Sequence, residues 1–182
     1  MTVEGAARPL ARVTLAPGSW AADAAATTAS FTVRNFGVRE VRGTVAVTAA
    51  EVTVDGAGRP VHVRAVADLT TLATGSRRRD ADLSGRRFFD VEHHPELPLV
   101  ARRVVPDGDG WQVPATVGVR GVQAPLTLDV HLEPRSAEPG APWRVVATGT
   151  LDLRTTPIRA PRILVGRWVS VRIDAVLTSR PG

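Results

Sequence analysis

Apolar and polar side chains alternate at every second position through most of the chain. Phe31 and Val33 alternate with Ser30, Thr32 and Arg34, and Val61, Val63, Ala65, Ala67 and Leu69 alternate with His62, Arg64 and Asp68. Leu126, Leu128, Val130 and Leu132 oppose Thr127, Asp129, His131 and Glu133; Val169, Val171, Ile173, Ala175 and Leu177 oppose Ser170, Arg172 and Asp174. Successive side chains of a strand point to opposite faces, so this period makes each run a strand with one dry and one wet face. Antiparallel sheets tolerate that asymmetry. "DGAGRP" (55–60), "PDGDG" (106–110) and "EPRSAEPGAP" (133–142) separate the runs with the Gly, Asp and Pro of tight turns. Runs at 28–35, 38–54, 61–73, 97–105, 111–120, 124–133, 143–155 and 168–178 amount to about eight strands, a count and spacing that predict an all-β sandwich or closed barrel.

One stretch breaks the pattern: "TGSRRRDADLSGRRFFDVEHHPELP", residues 74–98. From Ser76 to Leu83 there is no alternation and no strong β-former, and Ser76 is suited to cap a short helix carrying Arg77, Arg79, Asp80 and Leu83. A helix and then a loop are expected over residues 76–92. Phe88 and Phe89 follow, either with one ring as a plug in a barrel lumen or with both rings in the core.

Composition narrows the picture. The 182 residues fit one domain with a single core, and 43% hydrophobic with 23% charged residues gives no indication of disorder. Only eight residues are aromatic, four Trp and four Phe, so a barrel walled by Val, Leu and Ala could stay partly hollow. Composition alone favours a packed valine-rich core instead. The net charge of +5 and pI near 11.3 raise nucleic acid as a partner. Yet all 23 basic residues are arginines spread along the chain, with Arg77, Arg78 and Arg79 the one run of three, which argues for a codon bias and against nucleic acid. Cysteine is absent, removing disulfides, thiolate metal sites and cysteine nucleophiles. The first residues lack the unbroken apolar stretch of a secretory signal and no window approaches a membrane span, so a cytoplasmic chain without stable membrane insertion is expected.

Candidate chemistry is sparse. His93 and His94 with Glu92 and Glu96 have the right ligand types for zinc or iron, but neighbours in an extended segment point opposite ways, so no metal site is expected. Asp80 with Asp82 or His94 would serve as an acid-base pair only within hydrogen-bond reach; Asp80 beside Arg79 fits better as an ion-pair or backbone-capping carboxylate. No Gly-x-Ser-x-Gly elbow or phosphate-cradling Gly loop occurs. Asn35, the sole asparagine, either offers a ligand a hydrogen bond or forms a turn before Gly37.

The run Asp80, Leu83, Phe88-Phe89-Asp90-Val91-Glu92 and Pro95 resembles the "RD-x-x-L…FFDVE-x-x-P" signature of the YceI-like family of polyisoprenoid-binding, lipocalin-like barrels. Trp20 matches the family's opening Trp, Phe31, Val33 and Arg34 its "F-x-V-R-H", and Val41, Arg42 and Gly43 its "V-x-G". Leu69 to Leu72 with Thr74 resemble its "SL-x-T", and "VGVRGVQAPLTLDV" (117–130) is similar to its "L-x-I-x-G-V-x-x-P-V-x-L" hairpin. The likeness runs from about residue 18 to 178 and implies an antiparallel eight-stranded barrel with an apolar pore and a short helix, over residues 18–182, after an N-terminal extension at 1–17. Asn35 stands where the family often has His, His94 where it often has Tyr, and "LDLRTTPI" (151–158) puts Leu153, Thr155, Thr156 and Pro157 where Arg, Asp, Phe and Gly are usual.

On such a barrel the lumen and rim candidates are Phe31, Val33, Asn35, Phe36, Leu83, Phe88, Phe89, His94, Val117, Val119, Leu126, Leu128, Leu151, Leu153 and Trp168. Arg34, Arg79 and Arg86 are head-group candidates, and Asp80 and Asp90 are structural. The resemblance implies a non-catalytic protein that sequesters or carries a long apolar ligand, of polyisoprenoid, quinone or fatty-acyl type, with no cofactor and with a homodimer admissible. The alternative is a biosynthetic enzyme whose apolar barrel folds a polyene-like or polyketide-like substrate for cyclisation by orientation alone.

Overall fold

Each alternating run forms a strand, and the strands close on themselves. The computed structural model describes residues 14–36, 38–136, 141–161 and 165–180. Ten strands carry it: β1 (Gly18–Ala22), β2 (Thr28–Asn35), β3 (Arg39–Val54), β4 (Pro60–Ala73), β5 (Glu96–Ala101), β6 (Val105–Asp107), β7 (Gly110–Val119), β8 (Val122–Pro134), β9 (Trp143–Asp152) and β10 (Trp168–Ser179). Eight of them, in the order β2-β3-β4-β5-β7-β8-β9-β10, form an antiparallel barrel that β10 closes by pairing with both β9 and β2. The fold is thus the all-β lipocalin-like barrel that the sequence predicts. Closure leaves the eight barrel strands with no open edge.

Two runs differ from expectation. The run at 97–105 is two strands: β5 stops at Ala101, the exposed Arg102 and Arg103 turn the chain, and β6 folds back on β7. Asp107 faces Gly110 across a two-residue turn in which Gly108 adopts φ 57, so the "PDGDG" signal makes a hairpin of its own. The run at 143–155 ends at Asp152, whose carboxylate accepts from the Arg154 N–H and caps a 3-10 turn at Leu153–Thr155. Strand β1 was not expected. It pairs with the last residues of β10 and of β3, occupying the place that β2 leaves when a 3-10 turn at Ala24–Ala26 interrupts it.

Among the described residues the one α-helix, α1 (Arg77–Ser84), begins where Ser76 accepts from the Arg79 N–H at 3.4 Å. Asp80 fastens it to the end of β4: its Oδ1 accepts from the Thr74 N–H at 2.9 Å and from the Thr74 hydroxyl at 2.5 Å. Arg79 completes the clasp by donating to the Thr74 hydroxyl at 2.8 Å and its carbonyl at 2.9 Å. The loop after α1 winds back on the helix, with the Phe89 N–H on the Leu83 carbonyl and the Val91 N–H on that of Ser84. Asp90 takes φ 50 in this loop and accepts from the His93 ring at 3.0 Å, a bond that lowers its pKa.

These connections give the barrel two unlike ends. The helix end carries α1 and its loop, the β2–β3 and β7–β8 turns, and the described residues 153–161 and 165–167. The far end is packed solid by Leu15, Trp20, Val54 and Leu177, each at most 4% exposed, with Trp143 and Leu132 against them. Trp20 is anchored there by its indole N–H, which donates to the Ala16 carbonyl at 2.9 Å. Of the expected N-terminal extension, residues 1–13 lie outside the described residues, and Leu15 belongs to this plug.

Candidate functional site: an apolar lumen open to one end

The interior is not fully packed. The valine-rich core that composition favours gives way, in the half of the barrel nearer the helix, to a cavity of about 180 Å³. Twenty-six residues line it and only Ser30 among them is polar. A space walled in this way suits an apolar ligand. The reason for the space is geometric: β-branched and small side chains on inward positions leave the axis of an eight-strand ring unfilled.

Sequence candidates Phe31, Val33, Leu83, Phe88, Phe89, Val117, Val119, Leu126, Leu151 and Leu153 all line this cavity. Phe88 and Phe89 both line it and both pack against the buried core. Five candidates do not line it. Leu128 is buried in the wall beside it, 3% exposed, and His94 is half-buried in the helix loop with its N–H on the Asp90 carbonyl. Phe36 sits in the β2–β3 turn at φ 52 and points to solvent, and Trp168 faces outward because its neighbour Val169 faces in. Asn35 ends β2 and accepts the Val38 N–H at 3.2 Å as a turn residue would, while its Oδ1 is buried without a hydrogen-bond partner. Gly37, the other half of that expected turn, lies outside the described residues.

Other lining residues went unnamed: Val45 and Val47 on β3, Leu69 and Leu72 on β4, Val171 and Ile173 on β10, and Ile158 beyond β9. Val45 with Val47 and Val171 with Ile173 alternate with outward positions, so the period-two pattern is the signal that finds them, whereas Leu72 stands three residues past Leu69 and escapes it. Gly43 serves the lumen without lining it. A Cβ built on it would meet the Phe31 ring at 2.3 Å, so the missing side chain is the space in which that ring lies.

Just outside the lumen, a second recess is lined by Leu153, Arg154, Ile158, Arg159, Ala160, Val165, Gly166 and Arg167. Leu153, Ile158 and Val165 belong to both spaces. The departing "LDLRTTPI" segment builds this junction. Its buried Thr156 donates to the Leu153 carbonyl at 2.8 Å, which turns Leu153 and Ile158 inward and leaves Arg154 and Arg159 on the recess. Arg167 is committed elsewhere: its Nε reaches both Asp152 oxygens at 3.0 Å and Nη2 reaches Oδ2 at 2.5 Å, pulling the Asp152 pKa down to about 2.

Of the head-group candidates, Arg34 and Arg86 are exposed at the helix end, whereas the Arg79 guanidinium is taken up by Thr74. The structural candidates Asp80 and Asp90 hold Thr74 and His93 respectively, and Asp80 is thereby tied to the fold rather than to acid-base work. Among the described residues, no three His, Asp or Glu side chains converge on a metal position, and no helix is long and apolar enough to cross a membrane.

Three sets of similar proteins agree with this architecture. By sequence the chain is 27% identical over 94 residues to a UPF0312 protein of Pectobacterium atrosepticum and 28% identical over 94 residues to one of Yersinia pestis. Each match takes in 50% of this chain and 49% of the relative, so the chain spans about half the length of the curated relatives it matches. By structure it superposes on Burkholderia cenocepacia BcnA with a TM-score of 0.71 at 16% identity, covering 85% of this chain and 98% of that one. A polyisoprenoid binding domain from Saccharophagus degradans gives 0.66 at 15% identity, over 88% and 98%, and the Campylobacter jejuni YCEI protein 0.68 at 12%, over 79% and 88%. With the YceI-like domain matching residues 20–177, from the Trp20 plug to Leu177 near the end of β10, the chain belongs to the YceI-like family.

Proposed function

We propose that this barrel sequesters or carries a long apolar molecule, of polyisoprenoid, quinone or fatty-acyl type, with its tail in the lumen. The observation that carries the reading is the cavity itself, in which Ser30 is the only polar lining residue. Each methylene moved there from water contributes about 0.8 kcal/mol, so a long tail supplies affinity without any specific contact. The description of the Saccharophagus domain as polyisoprenoid-binding belongs to that protein, and it points the same way.

The tail enters past Leu153, Ile158 and Val165, because the far end is filled by Trp20 and its neighbours. A polar head then remains in the recess beside Arg154 and Arg159. Organic extraction of the purified protein followed by mass spectrometry, beside a denatured and washed control, tests the reading. A lipid recovered from the folded protein alone supports it. Recovery of none, together with no uptake of prenyl or acyl fluorescent probes, sinks it.

A further inference from the structure

Among the described residues, the helix end combines an apolar rim with a large group of unpaired arginines. Five large apolar side chains stand exposed among the described residues, and four belong to this end: Phe36 at 59%, Val38 at 87%, Val122 at 45% and Trp168 at 52%. The fifth, Val61, lies at the far end. Phe36 and Val38 form the tip of the β2–β3 turn, Val122 follows the β7–β8 turn, and Trp168 opens β10, so all four border the barrel rim.

Charge adds to this apolar rim. Away from it, Arg59 pairs with Asp55, Arg144 with Glu133 and Asp174, and Arg180 with Glu51, while Arg64, Arg102, Arg103 and Arg135 make no ion pair among the described residues. At the helix end, Arg34, Arg39, Arg86, Arg87, Arg154 and Arg159 make no ion pair among the described residues. Carboxylates there are mostly spent, Asp152 on Arg167, Asp90 on His93 and Glu40 on Arg42. Asp82, Glu92 and Glu96 remain, outnumbered by the arginines.

From this coincidence we infer that the helix end docks on an anionic phospholipid bilayer. Protruding Phe, Val and Trp side chains gain by leaving water for the acyl boundary, and guanidiniums gain beside lipid phosphates. Arg167 stacks its guanidinium 4.2 Å from the Trp168 ring centroid, a pair with one apolar and one cationic face, as an interfacial anchor needs. Nucleic acid would match the arginines but gains little from Val38 and Val122, which offer no flat ring to stack and no hydrogen bond. The docked orientation places the recess at the bilayer surface.

Docking and lumen occupancy are separable, and so are their tests. The full chain is sedimented with phosphatidylcholine vesicles with and without phosphatidylglycerol. Binding is expected only where phosphatidylglycerol is present, and is expected to weaken as salt rises. The double variants Phe36→Asn with Val38→Ser, and Arg154→Gln with Arg159→Gln, should each weaken it about tenfold. Asn suits the positive φ at position 36, and the melting temperature of each variant checks its fold. Arg102→Gln with Arg103→Gln, at the far end, should change nothing. Brominated lipid should quench the wild-type tryptophan emission more than that of Trp168→Phe. The inference is overturned by absence of binding at low salt, by equal loss in the far-end variant, or by DNA binding that competes with vesicles and survives loss of the apolar tip. Extracted lipid without vesicle binding rejects docking alone; vesicle binding with an empty lumen rejects the carrier reading alone.

Discussion

Gly43 shows how a single absent side chain sets the capacity of the lumen. Its Cα faces Phe31 across the β2–β3 ladder, and the ring occupies the position a Cβ would take. Gly43→Ala should push that ring toward the cavity, costing about 1–3 kcal/mol in stability as overpacking usually does. Uptake of an acyl probe should fall more steeply than the urea midpoint, because the displaced ring consumes ligand space. Asp152 is the matching case in electrostatics. Its depressed pKa means that the ionised form is favoured by folding, so its contribution is complete above the ordinary value of 3.8 and is lost as pH falls through about 2. NMR titration of the Asp152 carboxyl should show that low midpoint, and Arg167→Gln should return it toward 3.8, since the Arg167 hydrogen bonds are the leading cause. A midpoint unmoved by Arg167→Gln would refute the assignment.

The Arg79-Asp80 clasp shows how an element is held where sequence alone places it only approximately. Both residues close on Thr74, so α1 is fixed to the end of β4 rather than merely tethered. Asp80→Ala removes two hydrogen bonds to a carboxylate and should destabilise the fold by about 2 kcal/mol in a denaturant titration. Asp80→Asn, which keeps an acceptor oxygen, should recover part of that loss. The strands themselves were legible to within a few residues, because period two survives wherever one face is wet. It failed at Arg102 and at Leu153, where apolar content continues but the backbone turns: a three-residue hairpin strand and a 3-10 turn leave no periodic trace. The clasp was half legible, since a carboxylate beside an arginine announces a bond but not that both partners meet at Thr74.

At the scale of the molecule, the hollow interior was hidden from composition because volume is a property of ring closure. Val117 or Leu126 would read the same in a packed sandwich; only eight strands closing on each other leave the axis open. The arginines were likewise scattered in sequence and gathered in space, since alternate turns of an up-and-down barrel return to the same end. Trp20 and its neighbours seal the opposite end, and that seal makes the lumen a blind sleeve. Occupants of a blind sleeve obey last-in, first-out order: no newcomer can drive a resident ahead of it. Exchange must therefore wait for complete withdrawal, and the release rate of a labelled probe should stay constant as unlabelled competitor is raised, while falling with each added carbon of the tail. A stopped-flow chase over a series of acyl lengths reads both; release that quickens with competitor would mean a second portal. Loading would then be governed by how long the protein rests beside its donor, not by how strongly one ligand outcompetes another.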